Sequence, residues 1–401
     1  MNNQHKITQQ NYTIAIIGGG LTGKLAVLYL AYSGYQVIHI ATDLAITDER
    51  TTAIMMPGIN LLRELNIMQY LQPFAEPLKA ITLIDESHKI FSNASVTFTA
   101  NEINEEAFGY NIPNKNLNDI LKQEISKKTN VTAINDKVIN IEVTADSNII
   151  YLEKNNKLNV DIIIAADGAN SISRNYANIE IDKTQLLQTA AILSFSHEFP
   201  HKGMSIEFQT PQGPFTQVPL QGNNSSLVWV MSNDIVEKYK DLGKKQLNKI
   251  INNKLSSYLG DIKITSDIQF WELKLQLAKK IANNNIILIG ESAHIFPPLG
   301  AQGLNLTIRD ILSLPEALNK SSKQEIMTFY NNNRLFDIKS RSLLIKNLNH
   351  SLITSILPIK FLRMISFNLL KHSSFLRKFI SYELLTPKAG LNYLKSFFKN
   401  N

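Results

Sequence analysis

The stretch IAIIGGGLTGKLAVLYLAYSGYQVIHIA, residues 14–41, constrains this chain most. A short apolar run ends in glycines, a helical pattern follows and stops at Gly34, and a second apolar run comes next. That is a strand–helix–strand unit, the start of a parallel sheet with helices on its faces. Gly18, Gly20 and Gly23 fit G-x-G-x-x-G between strand and helix, the context that gives the pattern meaning. Gly18 permits the tight turn, Gly20 lets backbone approach a pyrophosphate, and Gly23 lets helix and strand pack closely. The helix start at Leu21 and Thr22 offers unpaired N–H groups to phosphates. The alternative is a plain glycine turn. An acid that binds the ribose should close the second strand. The nearest candidate, Asp43, comes about two positions late, so Asp43 reaches back or backbone and water hold the ribose.

At 401 residues and 44% hydrophobic content the chain has enough apolar mass for two or three domains. It has no cysteine, which excludes disulfides, thiolate metal sites, iron–sulfur clusters and a cysteine nucleophile. No metal site is expected. The polar start MNNQHKITQQN lacks the apolar core of a signal peptide, and no run of about 20 apolar residues exists. A cytoplasmic protein is therefore expected. Net charge is +7, but residues 341–401 carry ten Lys or Arg and one acid, Glu383, leaving −2 for the other 340 residues.

Further along, KAITLIDESHKIFSNASVTFTA reads as a hairpin and NLNDILKQEISKK as a helix. DIIIAADGANSISR places Asp167-Gly168 directly after a buried strand, with Ser171 and Arg174 following. From about 181 to 275 strand signals dominate, with turns at TPQGP and QGNNSS, which suggests a second, mostly antiparallel sheet. IGESAHIFPPLGAQGLNL then sets two prolines and three glycines before a helix. Beyond it the chain reads as helical to the end.

The glycine fingerprint, the Asp-Gly motif and a Gly-Glu motif continuing through Ala-His, Pro-Pro and Gly-Gln-Gly resemble, in this order, the class A flavoprotein aromatic hydroxylases. Within them the chain resembles the ubiquinone-biosynthesis hydroxylase family, to which ERTTAI and GPFTQVPL…SSLVWV are also similar. The resemblance covers about residues 12–340. It implies an α/β fold, Rossmann-like, with an FAD-binding domain (12–75, 106–180 and 277–340) and an interleaved antiparallel-sheet substrate domain (76–105 and 181–276). A helical tail follows at 341–401. It implies non-covalent FAD, with NADH or NADPH as electron donor and O₂ as co-substrate. A flavin hydroperoxide then hydroxylates the ring of a polyprenyl phenol, so the cofactor carries the hard step. Cofactor contacts are expected from Gly18, Gly20, Leu21, Thr22, Gly23, Asp43, Arg50, Asn114, Asp167, Gly168, Glu291, Pro298, Gly300, Gln302, Gly303, Leu304 and Asn305. Two departures stand out. Glu291 replaces the family's usual aspartate, and Asn114-Lys115 stand where relatives often carry arginine. Pro298 and His294 are the candidates for any catalytic role, although His294 also suits a loop-orienting role. The ring pocket is expected near Phe215, Gln217, Val218 and Pro219, which core packing would equally explain. A flavin halogenase is disfavoured, because that family's Trp-x-Trp-x-Ile-Pro motif is missing. Hydroxylation of a small soluble aromatic and a non-catalytic flavoprotein subunit are the alternatives.

In the tail, Phe361, Leu362, Ile365 and Leu369 share one helical face opposite Lys360, Arg363 and Lys371. Leu391, Leu394, Phe397 and Phe398 repeat the pattern against Lys395 and Lys399. Basic amphipathic helices suit an anionic membrane surface. The expectation is peripheral association with the inner face of the membrane, in company with other ubiquinone-biosynthesis proteins. A helix packed on the domain with solvated lysines is the alternative. Nucleic-acid binding is not expected, since no recognised module accompanies the charge.

Overall fold

The computed structural model describes residues 12–42, 48, 50–86, 94–144, 146–240, 242–298, 301–353 and 357–385, with backbone alone at 347–353, 357–364 and 384. The expected contacts of Asp43 and Gly300 lie outside these residues, as do the tail residues 391–399.

The opening unit forms as its pattern requires. Ile14–Ile17 is fully buried and pairs in parallel with Val37–Ala41 on one side and Ile162–Ala165 on the other. Ile286–Leu288 and Val131–Asn135 extend this sheet, and Ala282–Asn283 closes it as an antiparallel edge. Strands buried on both faces must be apolar throughout, which is why they read as continuous Ile/Val/Ala runs. Gly18 has φ +132, and a Cβ there would stand 2.2 Å from Ala166 O, so only glycine fits between the two strand ends. His39 braces the same turn from the next strand, its Nε2 3.0 Å from Gly18 O.

A nine-stranded, mostly antiparallel sheet forms the second layer. It takes Ala80–Asp85 and Ala94–Thr99 from the early hairpin and the long strands between Ile181 and Ala278. One pair, Ala80–Asp85 with Met204–Thr210, is parallel. Strand alternation divides its side chains between two faces. Phe195, Leu227, Phe215 and Phe208 point to one face, under Ile251, Leu255 and Leu259 of the helix Lys244–Leu259. Ile192, Val228, Thr216 and Leu83 point to the other. The helices Asn233–Lys240 and Lys244–Leu259 interrupt the region expected to be strands. Leu247, Ile251, Leu255 and Leu259 recur every four residues, a helical period that the neighbouring strand signals obscured.

The helix Lys323–Ile353 runs through position 341 without a break, so the expected tail does not start as a separate element. Leu357–His372 and Ser374–Leu385 follow. Phe367 is 6% exposed, packed with Leu78, Val96, Phe98 and Phe108. Arg377 makes an ion pair with Glu102, its Nε 2.9 Å from Oε1. Two residues of the expected apolar stripe face outward: Ile365 is 37% exposed and Leu369 54%. The side chains of Lys360, Phe361, Leu362 and Arg363 lie outside the described residues.

Burial pushes His39 below its ordinary value near 6.5, with Lys24 adding to the effect and the Gly18 carbonyl opposing it; burial lowers His197 likewise. A histidine that loses proton affinity on folding adds stability that is fully present above about pH 6.5 and is lost as pH falls through the folded value. The melting temperature should therefore fall between about pH 7.5 and about pH 5. The fall should be shallower in His39→Gln, as measured by thermal unfolding across that range.

Candidate cofactor and substrate site

The three motif segments converge at the carboxyl ends of the parallel strands, where open α/β sheets place their ligands. Gly18 packs on Ala166 and Asp167, joining the fingerprint to the Asp-Gly motif. A Cβ at Gly290 (φ +62) would meet Thr22 at 2.9 Å, joining the fingerprint to the Gly-Glu motif. Arg174, 4% exposed, closes the triangle: Nη1 donates to Ser292 O (2.9 Å) and Nη2 to Ala169 O (3.0 Å).

Three motif glycines border open space. A Cβ at Gly20, Gly168 or Gly303 would meet no atom within 4 Å. Gly168 also needs glycine for its φ of +79. Gly20 does not. Its φ of −76 and ψ of −179 are open to any residue, so only the space argues for glycine there. Asp167 Oδ2 accepts from Ser173 N at 3.0 Å, while its buried Oδ1 has no partner. Open cradles at two helix starts and a buried acceptor without a donor are what a phosphate-bearing, hydroxyl-rich dinucleotide would fill. The residues present fit FAD.

Arg50 and Asn114, far apart in sequence, meet through Asp48. Asp48 takes both Nε (2.7 Å) and Nη2 (2.8 Å) of Arg50, and Asn114 Nδ2 donates to Asp48 Oδ2 at 2.9 Å. The hydrogen bond from Arg50 raises the guanidinium's proton affinity, and the field of Glu291 adds to it. Burial works to raise the Asp48 carboxyl, but the bonds from Arg50 and Asn114 hold it below the usual range. The Arg50 guanidinium also lies 4.6 Å over the Trp271 ring on the nine-stranded sheet. Asp48 was not foreseen; an acid two residues before a motif arginine was its only signal.

Asn305 spends its side chain inside the protein. Nδ2 donates to Ala53 O (2.8 Å) and Ala301 O (2.7 Å), and Oδ1 accepts from Met55 N (2.8 Å). It ties the helix Gln302–Leu312 to the Thr51–Met55 strand. Gln302 is 5% exposed at the head of that helix, Leu304 is half-buried, and Pro298, Gly303 and Glu291 are exposed. His294 is 2% exposed and its Nε2 lies 2.6 Å from Asp310 Oδ2. Asp310, also missed by sequence reading, accepts in addition from Gly290 N (3.3 Å) and Arg334 Nε (3.0 Å). Its sequence signal is an acid on the apolar stripe Leu306, Asp310, Leu314. This geometry gives His294 a loop-holding position.

The expected ring pocket needs correction. Phe215, Gln217 and Pro219 point to the face of the nine-stranded sheet under Lys244–Leu259, and Phe215 and Gln217 are 0% exposed. Gln217 Oε1 accepts from Ile206 N (3.1 Å) and its Nε2 donates to Ser225 Oγ (2.8 Å), a core arrangement. A cavity of about 670 Å³ on that far face, lined by Phe215, Trp229 and Lys254, includes none of the cofactor-motif residues. Only Val218 of the four shares the face that carries Trp271 and looks toward Arg50.

Residues 11–336 match the FAD binding domain family. The ubiquinone hydroxylase UbiL of Rhodospirillum rubrum is 27% identical over 312 residues, 76% of this chain and 72% of that protein. The 3-demethoxyubiquinol 3-hydroxylase of Escherichia coli is 28% identical over 321 residues, 78% of this chain and 81% of that protein. The crystal structure of p-nitrophenol 4-monooxygenase PnpA from Pseudomonas putida superposes with a TM-score of 0.76 at 15% identity, covering 95% of this chain and 100% of that one, a likeness of fold alone. The motif triangle, its open glycine cradles and the family match lead to one conclusion: the chain belongs to the FAD binding domain family and is an FAD-dependent monooxygenase of the aromatic hydroxylase superfamily.

Proposed function

We propose that the protein hydroxylates the aromatic ring of a polyprenyl phenol in ubiquinone biosynthesis, using O₂ and electrons from NADH or NADPH. The observation that carries the substrate class is that both curated relatives above, each matched over more than three quarters of this chain, are named for ubiquinone-pathway hydroxylation. FAD, when bound, supplies reduction by the nicotinamide and activation of O₂. The chain's own residues do the rest. The N–H groups at Leu21 and Thr22 receive the pyrophosphate beside Gly20, and Asp167 Oδ1 takes a donor from the cofactor. Glu291, held near Arg50, takes the ribityl hydroxyls. The start of the helix at Gly303 and Leu304 turns its positive end toward the ring system, favouring negative charge there. The nine-stranded sheet closes the opposite side against water.

The direct test is oxidation of NADH or NADPH by the purified holoprotein with a short-chain prenyl phenol, with the product identified by mass. Stimulated oxidation with one added oxygen atom is expected. Oxidation that no phenol stimulates would remove the proposal. Acid precipitation should release FAD into the supernatant, since no cysteine exists to link it covalently.

Gly20→Val tests the cradle with unusual clarity. Its backbone angles admit valine and its Cβ meets nothing in the protein, so the variant should fold with a melting temperature near that of the parent protein without cofactor. The branched side chain would fill the pyrophosphate space. FAD content should drop at least tenfold, roughly 1.4 kcal/mol or more of binding. Full flavin occupancy in the folded variant would contradict the assignment.

We also assign the outward stripe of Leu357–His372 to an anionic membrane surface, beside the exposed Lys371. Among the described residues no helix is long and apolar enough to cross a membrane. Arg377 does not join this surface, because Glu102 already holds its guanidinium. Exposed apolar side chains entering the headgroup layer contribute about 1–2 kcal/mol each. Ile365→Asn with Leu369→Asn should therefore reduce co-sedimentation with phosphatidylserine-containing vesicles by roughly tenfold or more. FAD content should not change. Unchanged sedimentation would show that this stripe does not meet the membrane.

A further inference from the structure

The nine-stranded sheet holds a carboxylate that neither the motifs nor the cofactor site use. Register sets Val96, Leu83, Glu207, Thr216, Val228 and Ile192 side by side across five pairings. This row is apolar except for Glu207 and Thr216. It lies on the face that also carries Trp271, since Gln209, two residues along from Glu207, is in the row of Pro214, Val230, Ala190 and Trp271. Trp271 stacks under Arg50, which stands in the field of Glu291 in the cofactor loop. The carboxylate therefore faces the flavin-binding half of the molecule.

Glu207 is half-buried. Thr216 Oγ1 donates to its Oε2 at 3.1 Å, and Gln209 donates to it as well. Among the described residues no Lys, Arg or His forms an ion pair with it. Burial holds its carboxyl above the usual range in spite of those two bonds. A carboxylate has about four acceptor positions, so capacity remains for a further donor. Burying a charge without a cation costs several kcal/mol unless a ligand or hydrogen bonds recover it. Perturbed carboxyls of this sort concentrate where a ligand is read.

Resting on the phenol-hydroxylase reading above, we propose that Glu207 is the specificity-determining residue of the ring pocket: it accepts the hydrogen bond of the substrate's phenolic hydroxyl and rejects rings that bear a carboxylate. A neutral donor satisfies the half-buried acceptor, whereas an anionic ring would set two negative charges side by side. Such a site discriminates against analogues that lack the donor, because a remaining acceptor position of the carboxylate then goes unfilled.

The test uses FAD-loaded protein and three probes: ortho-prenylphenol, its methyl ether, and the same phenol carrying a ring carboxylate. Binding is read from the change in flavin absorbance. The parent should favour the phenol over the ether by about tenfold, the worth of a hydrogen bond to a charged acceptor. Glu207→Met should erase that preference by weakening phenol binding while leaving ether binding and FAD content unchanged. Glu207→Gln, which keeps a neutral acceptor and the strand contacts, should retain part of the preference and bind the carboxylate probe more tightly than the parent does. It also serves if the methionine variant fails to fold. If a parent that turns over phenols keeps the same phenol-to-ether ratio in either folded variant, the Glu207 assignment falls alone. If the FAD-loaded parent binds none of the phenols and none stimulates its NAD(P)H oxidation, the functional reading falls, and this assignment with it.

Discussion

The buried carboxylate of Asp310 is the point on which the second half of the molecule is hung. It is 0% exposed, and the Gly290 N–H, His294 and Arg334 all converge on it. Burial alone would raise its proton affinity; the charges of His294 and Arg334 and the bonds from His294 and Gly290 outweigh that and hold it below the usual carboxylate range. The network runs on through Arg334 Nη1 to Asp337 (2.7 Å), and Arg309 Nε stands 3.0 Å from the same carboxylate. Burial pushes Arg309 down to about 10, with Asp337 pulling it back up. Removing one member of such a cluster strands the others, at a cost of about 3–5 kcal/mol, whereas the intact cluster adds little net stability. Its effect is to fix position. The loop that carries Gly290 and Glu291 cannot shift without breaking the charge pairs behind it.

That anchoring explains why the exposed face of the loop can be sparse. Glycines at 168 and 303 and the exposed Pro298 present almost no side chain to the cofactor space. Backbone can serve as binding surface only if something else holds it still, and here His294, Arg174 and Asn305 do so from behind. Arg174, Asn305 and the Nε2 of His294 are bonded to protein partners. The division matches the chemistry: the flavin does the difficult step, and the protein's part is to set distances and keep water out.

What the sequence disclosed, and what it withheld, follows the range of the interactions involved. The strand–helix–strand opening and the three motifs were legible because each rests on local backbone demands, such as Gly18 against Ala166. The early hairpin was legible from alternation alone. Asp48, Asp310 and His39 were not read as partners, because their meaning depends on residues between 2 and 66 positions away that only folding brings into line. Phe215 and Gln217 failed for a different reason. A strand's two faces look alike in sequence until the register of its neighbours shows which one meets a helix. The same ambiguity hid Glu207, since MSIEFQT reads as an ordinary strand with its acid turned to water.

The terminal helices belong to this same mechanical unit. Arg341, in the helix that also supplies Arg334 and Asp337, donates through Nη2 to Glu383 O at 2.6 Å in the last described helix. Phe367 enters the cluster with Leu78, Val96 and Phe98, and Leu83 of the Glu207 row packs against that cluster. The segment whose outer stripe meets the membrane in our reading is thus joined by packing to the sheet beside Glu207, and the helix that follows it is tied by the Arg341 hydrogen bond to the helix that anchors the cofactor loop. A long apolar chain leaving a ring held at Glu207 would find the apolar residues of that cluster, Val96, Leu83 and Phe98, alongside it. On the proposed reading, the lipid-facing stripe and the ring-reading face would be two sides of one packed cluster, and a substrate dissolved in the bilayer would need no transfer through water.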